Sequence, residues 1–374
     1  MGARKPRIAV FGGKDYPSRG GTGRVIEATL RELAQRYDFT VYACASPQAE
    51  GHIPGVAVVQ FPAARWKGVG VFRYFLRCLA HALRADYDLL HVHKTDAVFA
   101  VPLLARRFPV VATSHERAYL NSKWGPLGRL YFRLAERIFL RSGDARTCVS
   151  REQQEHYAAR GGVVEYVPNG VEELEFDEEA AARRLAAAGV ADGYVLFAAR
   201  RVIPLKGLHH LLAALARAEF RGTLVVLGDM EQMPAYSAEL RELARGLDVR
   251  FLGYVSERPE LLALVRRAEL FVFPSEREGM SVMLLEAAAC GTPILCSDIR
   301  ANTDVLAEDE VVRFRSGDVA DLAERFAWAC AQRGELGARA ERARAGVAAR
   351  HGARAVAEQY ARIYERVLAA RRAR

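Results

Sequence analysis

PSEREGMSVMLLEAAACGTPILCSD, Pro274–Asp298, follows directly on one apolar run, ELFVF, and ends inside another, PILCS. Between them lie a polar loop with carboxylates, an Ala-rich helical stretch and a Gly-Thr-Pro break, so the segment reads as strand, helix, strand. Strands that are apolar throughout and alternate with helices belong to a parallel sheet covered on both faces. The same alternation extends outward. Upstream come YVLFAAR (Tyr194–Arg200), TLVVLGD and VRFLGYV. Nearer the start come RIAVFGG (Arg7–Gly13), a helix from about Thr22 to Arg36, FTVYAC (Phe39–Cys44), VAVVQF, DLLHVH, PVVATSH and ARTCVS. YVPNGVEELEFDEEA, Tyr166–Ala180, interrupts the series with Pro, Asn-Gly and an acidic run, which marks a domain junction. Two α/β units in tandem are predicted, residues 1–170 and 171–351. The tail from Gly352 to Arg374 reads as one helix whose Val356, Tyr360, Ile363, Tyr364 and Val367 form a packing face.

A chain of 374 residues is long enough for two cores. With 51% hydrophobic and 26% charged residues it is globular and excludes a disordered or solenoid protein. No apolar run approaches the ~20 residues that span a bilayer, and the charged start leads straight into a strand, so a cytoplasmic protein is expected. The six cysteines are scattered without a Cys-x-x-Cys pair, and reduced core residues are expected rather than a disulfide framework or cysteine metal centre. The net charge of +9 is unevenly placed: residues 1–170 carry 25 Lys and Arg against 14 Asp and Glu, the remainder 29 against 31. The first half therefore suits an anionic surface or substrate. No recognition motif for nucleic acid accompanies that charge.

Ligands of open parallel sheets bind beyond the carboxyl ends of the strands, so residues just past each strand are the candidates. After the first strand, Gly20, Gly21 and Gly23 precede a helix, where backbone N–H groups can approach a phosphate. The loop is too long for the dinucleotide fingerprint. After YVLFAAR, Arg201 and Lys206 lie five residues apart around Pro204, two cations that could neutralise a diphosphate leaving group. Glu278 and Glu286 are separated by seven residues, the first in a loop and the second in the next helix. Two carboxylates are thus expected to face one crevice from different heights and to accept sugar or ribose hydroxyls, with the N–H groups of Met280, Ser281 and Val282 meeting a phosphate. His115 ends PVVATSH at the same kind of edge. His91 and His93 have a metal-like spacing but lack a third ligand and are read as core or cleft-lining. Asp86-Tyr87-Asp88 resembles a metal-binding Asp-x-Asp motif but precedes its strand, at the wrong edge.

Taken together, these motifs resemble the retaining glycosyltransferases of family 4, also called glycosyl transferases group 1, which have the GT-B fold. The resemblance rests on the Gly-Gly loop, VPNGV (Val167–Val171), the Arg-x4-Lys-Gly element Arg201–Gly207, LGD (Leu227–Asp229), FLGYV (Phe251–Val255) and, most specifically, the paired glutamates with LEAAACGTPILCSD. YPSRGGTGRVIEATLRELA is similar to bacterial surface-polysaccharide members. The resemblance implies two Rossmann-like domains facing an interdomain cleft, an acceptor-binding one (1–170) and a donor-binding one (171–351), with the C-terminal helix returning to the first. It also implies that Arg201 and Lys206 bind the donor diphosphate, that Glu278 contacts the donor sugar near the reaction centre and that Glu286 holds the ribose. His115 would line the transfer site, Gly20 and Gly21 would lie against phosphate or acceptor, and base contacts would come from Gly253, Tyr254 and Val255. Gly228 and Gly279 complete the implied donor site. The family's small residue and Gly before the Arg are replaced here by Ala199 and Arg200, so either arginine could serve; the spacing to Lys206 favours Arg201.

Neither a metal nor another cofactor is expected, because side chains supply the charge. The implied reaction moves a hexose or N-acetylhexosamine from a nucleotide-diphosphate sugar, uridine favoured, to a glycan or lipid-linked hydroxyl in cell-surface polysaccharide or lipopolysaccharide synthesis. A non-hydrolysing nucleotide-sugar epimerase of the same fold is the alternative. Two basic, apolar segments, Arg65–Arg84 and Ser122–Arg141, read either as ordinary domain helices or as peripheral contacts to an anionic membrane.

Overall fold

The computed structural model describes residues 4–18, 20–46, 48–62, 69–120 and 124–373. Arg65, Trp66, Lys67, Ser122 and Lys123, parts of the two basic segments, lie outside the described residues.

The chain divides into two units, Met1–Gly170 with Ala353–Arg374, and Val171–Gly352. The first contains β1 (Arg7–Phe11), β2 (Asp38–Cys44), β3 (Val56–Phe61), β4 (Leu89–His93), β5 (Val110–Ser114), β6 (Ala145–Cys148) and β7 (Glu165–Tyr166). The second contains β8 (Val195–Arg201), β9 (Thr223–Asp229), β10 (Asp248–Gly253), β11 (Leu270–Phe273), β12 (Ile294–Ser297) and β13 (Val312–Phe314). Every pairing is parallel, in the orders β3-β2-β1-β4-β5-β6-β7 and β10-β9-β8-β11-β12-β13. Each order reverses once, between β1 and β4 and between β8 and β11, and such reversals open a crevice at the carboxyl ends of the diverging strands.

Period two decides what covers each face of the first sheet. On β1, Ile8 and Val10 join one core while Ala9 and Phe11 join the other. On β4, Leu89 falls on the first face, and Leu90 and Val92 on the second. His91 and His93 share the face of Leu89, the one covered by the C-terminal helix Ala353–Arg372 through Val356, Tyr360, Ile363, Tyr364 and Val367. The second unit has its own core, built from Val195, Phe197, Leu211, Val226, Val272 and Phe326 among others. All six cysteines are free.

Two strands escaped the sequence reading. β7 and β13 are two and three residues long, too short to show a period, and they close the outer edges of their sheets.

Candidate functional site

In the second unit, β8 and β11 deliver two loops to the crevice at their carboxyl ends. The loop after β8 turns through a short 3₁₀ segment, Pro204–Lys206, into the helix Leu208–Arg217. The loop after β11 runs through Ser275–Met280 to Ser281, which caps the helix Val282–Ala289 by accepting from the Leu284 N–H at 3.3 Å. Gly207 holds the loops together. Its φ is +71°, and a Cβ there would lie 2.0 Å from the Pro274 carbonyl oxygen, so only glycine permits both the left-handed turn and this approach. The Glu276 N–H donates to the Leu205 carbonyl at 3.0 Å and fixes the register.

With the loops so joined, Lys206 Nζ donates to Glu278 Oε1 at 2.5 Å, and the two side chains are only 25% and 12% exposed. Arg201 closes β8 in register with Asp229 and is half-buried, whereas Arg200 is exposed. Among the described residues no hydrogen bond or ion pair joins Arg201 to the Lys206–Glu278 pair. Gly228, at the end of β9, has φ +149°, and a Cβ there would lie 2.2 Å from the Ala199 carbonyl. Gly279 is half-buried and Met280 and Val282 are buried beside the Ser281 cap. Tyr254 and Val255 follow β10, the outer strand, with Tyr254 exposed and Val255 buried.

Glu286 requires a correction. It is 0% exposed, so it does not present an open carboxylate to the crevice alongside Glu278. The helix Val282–Ala289 is buried nearly all round, at Val282, Leu284, Leu285, Ala287 and Ala288 as well, which leaves a glutamate there no solvated side. A buried carboxylate needs a cation. Arg258 supplies it, with Nε 2.9 Å from Glu286 Oε1, and also lies 3.5 Å from Glu172 Oε2. Sequence reasoning missed Arg258. A Glu inside VMLLEAAA signals that a partner exists, but nothing local identifies one 28 residues upstream.

In the first unit the loops after β1, β4 and β5 converge similarly. Gly12, with φ +106°, would place a Cβ 1.9 Å from the His93 carbonyl oxygen, so the β1 loop packs directly on the end of β4. Gly20 is the extended N-cap of the helix Gly21–Leu33, which has no side-chain cap. The turn before it is held by Ser18, whose N–H donates to the buried Glu27 at 2.5 Å.

His115 follows β5 and is buried. His93 Nδ1 meets His115 Nε2 at 3.0 Å, and His93 stacks on His91 with ring centres 3.8 Å apart. His91 in turn contacts the Tyr364 hydroxyl through Nδ1 and the Thr113 hydroxyl through Nε2, each at 2.7 Å. Both nitrogens of His91 are thus engaged in core hydrogen bonds. Burial pushes His91 and His115 down to about 3, helped by His115 in the first case and by the Lys94 charge in the second. All three rings are neutral near pH 7, His93 being held low by burial and then by its histidine neighbours. Asp86 and Asp88 pair with Arg7 and Arg4 at the amino edge of the sheet, away from these loops.

The same unit carries an exposed apolar and basic face. On the helix Pro126–Arg141, Leu127 is 84% exposed, and Leu130 and Leu134 follow it, interleaved with exposed Arg129, Arg133 and Arg137. Phe72 and Leu76, with Arg73 and Arg77, repeat the pattern on the helix Val69–Ala82. No helix among the described residues is long and apolar enough to cross a membrane.

Comparison with known proteins adds three findings. The family described as Glycosyltransferase Family 4 matches residues 19–173, and that described as Glycosyl transferases group 1 matches residues 192–332. The chain is 32% identical to the phosphatidyl-myo-inositol mannosyltransferase of Mycobacterium tuberculosis, over 76% of this chain and 75% of that protein. It is 28% identical to the D-inositol 3-phosphate glycosyltransferase of Xylanimonas cellulosilytica, over 88% of each. Among solved structures, Anabaena HepE in complex with UDP and glucose superposes with a TM-score of 0.79 at 19% identity, covering 96% of this chain and 99% of that one. Sucrose-phosphate synthase from Thermosynechococcus elongatus gives 0.80 at 20% identity, covering 98% and 100%.

Proposed function

Since this chain belongs to the group 1 and family 4 glycosyltransferases and has the GT-B fold, we propose that it transfers a hexose or N-acetylhexosamine from a nucleotide-diphosphate sugar, with retention and without a metal. The unit Val171–Gly352 takes the donor, and the unit formed by Met1–Gly170 and Ala353–Arg374 takes the acceptor. The observation that carries this reading is the pairing of Lys206 with Glu278 across the β8/β11 reversal. It sets a cation for phosphate beside an acceptor for sugar hydroxyls.

The chemistry follows from that juxtaposition. As the bond from the anomeric carbon to the diphosphate oxygen breaks, negative charge grows on the phosphate. Lys206 and Arg201 stabilise it there. The acceptor oxygen bonds to the anomeric carbon on the same face, and its proton passes to the departing phosphate oxygen, so charge and atoms balance without a protein nucleophile. Glu278 orients the sugar. His115, neutral, contributes hydrogen bonds rather than a proton. A ribose contact by Glu286 requires its carboxylate to share Arg258.

For the donor a uridine nucleotide is favoured, and HepE was solved with UDP and glucose. The acceptor is a hydroxyl on a glycan or glycolipid of cell-surface assembly. Two relatives are named for inositol 3-phosphate and phosphatidyl-myo-inositol, acceptors that carry a phosphate. The positive charge of residues 1–170 suits such an anion. Assaying UDP-, GDP- and dTDP-sugars against inositol phosphates, phosphatidylinositol and glycan acceptors tests the proposal. Transfer that persists in EDTA and gives a product with the donor's anomeric configuration is expected. Loss of activity on chelation or an inverted product contradicts it, and an epimer formed from donor alone would point to the epimerase chemistry instead.

The exposed Leu127, Leu130, Leu134, Phe72 and Leu76 among arginines match an anionic bilayer surface, apolar side chains entering the acyl boundary and guanidinium groups meeting head groups. Sedimentation with phosphatidylserine vesicles at low salt should recover the protein in the pellet. Leu127→Glu with Leu130→Glu should leave it in the supernatant, and a wild-type protein that stays in the supernatant rejects this docking.

A further inference from the structure

We infer that His209, His210 and Glu276 form a binding site for a divalent transition-metal ion of the zinc class, on the unit Val171–Gly352. None of the three takes part in the transfer chemistry proposed above.

The ligating atoms of the three residues all lie within 4.8 Å of one another. His210 Nε2 is 2.9 Å from Glu276 Oε1, and His209 Nε2 is 4.0 Å from the same oxygen. Tetrahedral zinc, with nitrogen and oxygen ligands at about 2.0–2.2 Å, holds neighbouring ligand atoms about 3.3–3.5 Å apart. The two observed separations, 2.9 and 4.0 Å, bracket that edge, and the Glu276 carboxylate that must adjust is exposed. Neighbouring residues on a helix point about 100° apart, yet the His209 and His210 rings lie 3.9 Å centre to centre.

A second observation orients the ring. The Tyr236 hydroxyl lies 2.8 Å from His209 Nδ1. When Nδ1–H donates to that oxygen, the lone pair of Nε2 faces Glu276, the arrangement by which an outer hydrogen bond orients a metal-ligating histidine. An ordinary His210–Glu276 ion pair explains the 2.9 Å contact but not why His209, anchored on its far side, turns its other nitrogen to the same carboxylate. The start of the helix Leu208–Arg217 disfavours a cation, and the Glu276 carboxylate offsets that. Two imidazoles and one carboxylate select a borderline metal over magnesium or calcium, and leave a fourth position for water.

Such an ion ties together two segments that matter: the helix that begins two residues after Lys206, and the loop two residues before Glu278. Glu276 is already held to the turn that leads into that helix through its backbone bond to Leu205.

The test is zinc binding by the full chain after chelator treatment, measured calorimetrically in competition with a chelator of known affinity. One ion per chain is expected, unaffected by millimolar magnesium. His209→Ala, His210→Ala and Glu276→Gln should each weaken binding at least tenfold. Tyr236→Phe should weaken it less, and Lys206→Ala should leave it unchanged. Zinc should raise the melting temperature of the wild type and not of the His209→Ala/His210→Ala variant, whose metal-free melting controls for folding. Equal stoichiometry and affinity in wild type and a variant lacking all three ligands, or no saturable binding by the wild type, overturns the site. Because the readout is binding rather than transfer, its failure is separate from any failure of the donor reading, and transfer that chelation lowers in the wild type but not in the His209→Ala/His210→Ala variant is assigned to this ion and not to the reaction.

Discussion

Lys206 pairs in the crevice with Glu278, and a donor diphosphate must compete with that carboxylate for the ammonium. The two substitutions at this pair therefore act differently. Lys206→Ala removes a positioned charge from the departing phosphate and should lower turnover roughly 10²–10³-fold, the scale of one preorganised electrostatic group. Glu278→Gln should also lower turnover, through the donor sugar, while the free nucleoside diphosphate binds a few-fold more tightly. Releasing a partly exposed ion pair is worth up to about 1 kcal/mol. Initial rates and calorimetric affinities on both variants check this, and a nucleoside diphosphate that binds more weakly to Glu278→Gln would show that the carboxylate does not compete. At this scale the sequence identified the residue types and their spacing but not their bonds. The spacing of Glu278 and Glu286 suggested two carboxylates facing one crevice from different heights, yet one lies in a loop against Lys206 and the other is enclosed with Arg258. That difference depends on what packs around the helix Val282–Ala289, and no local pattern encodes it.

Among the elements, β4 and β5 show how much a strand pattern reveals. DLLHVH and PVVATSH are read as strands from their apolar content, and period two puts His91 and His93 on one face. What the pattern leaves out is that this face meets Tyr364, brought from 273 residues away. The resulting stack of neutral histidines has a consequence for stability. His91 and His115 titrate near 6.5 when unfolded and are pushed down to about 3 in the fold. A histidine whose folded value is depressed contributes stability that is fully present above the unfolded value and is lost as pH falls from about 6.5 towards 3, because the unfolded chain takes up the proton first. Each such group makes the slope about 1.4 kcal/mol per pH unit within that window. Urea unfolding should therefore show a midpoint that is level from pH 8 to 7 and falls steeply between pH 6.5 and 5, before most carboxylates titrate. The turnover profile should show no step near pH 6.5 from His115. A midpoint unchanged down to pH 5 would mean that these rings accept protons inside the fold.

For the whole molecule, the chain leaves its first unit at Gly170 and re-enters it at Ala353, and these two residues are neighbours: a Cβ on Gly170 would lie 3.1 Å from the Ala353 Cα. The returning helix is part of the first core, contributing Val356, Ala357, Tyr360, Ala361, Ile363, Tyr364 and Val367. Repeated apolar runs made both sheets legible in the sequence, and the apolar spacing of the tail gave its packing face. β7 and β13 were not legible, because strands of two and three residues are defined by their neighbours. This connectivity yields the last prediction. Residues 1–170 alone lack the residues that cover the Ile8, Val10 and His91 face, and burying a large side chain contributes roughly 1.5–3 kcal/mol each. Losing five large side chains and two alanines removes roughly 7.5–15 kcal/mol, as much as the ~5–15 kcal/mol by which a domain is stable, so this fragment should be unfolded. Joining Gly170 to Ala353 through a short glycine linker should restore cooperative unfolding, since the ends already lie side by side. Residues 171–352, whose core is built from their own residues between Val195 and Leu336, should fold unaided. Circular dichroism melts of the three fragments distinguish these outcomes. A cooperative transition in 1–170 without the helix would mean that the tail decorates the first unit rather than completing it.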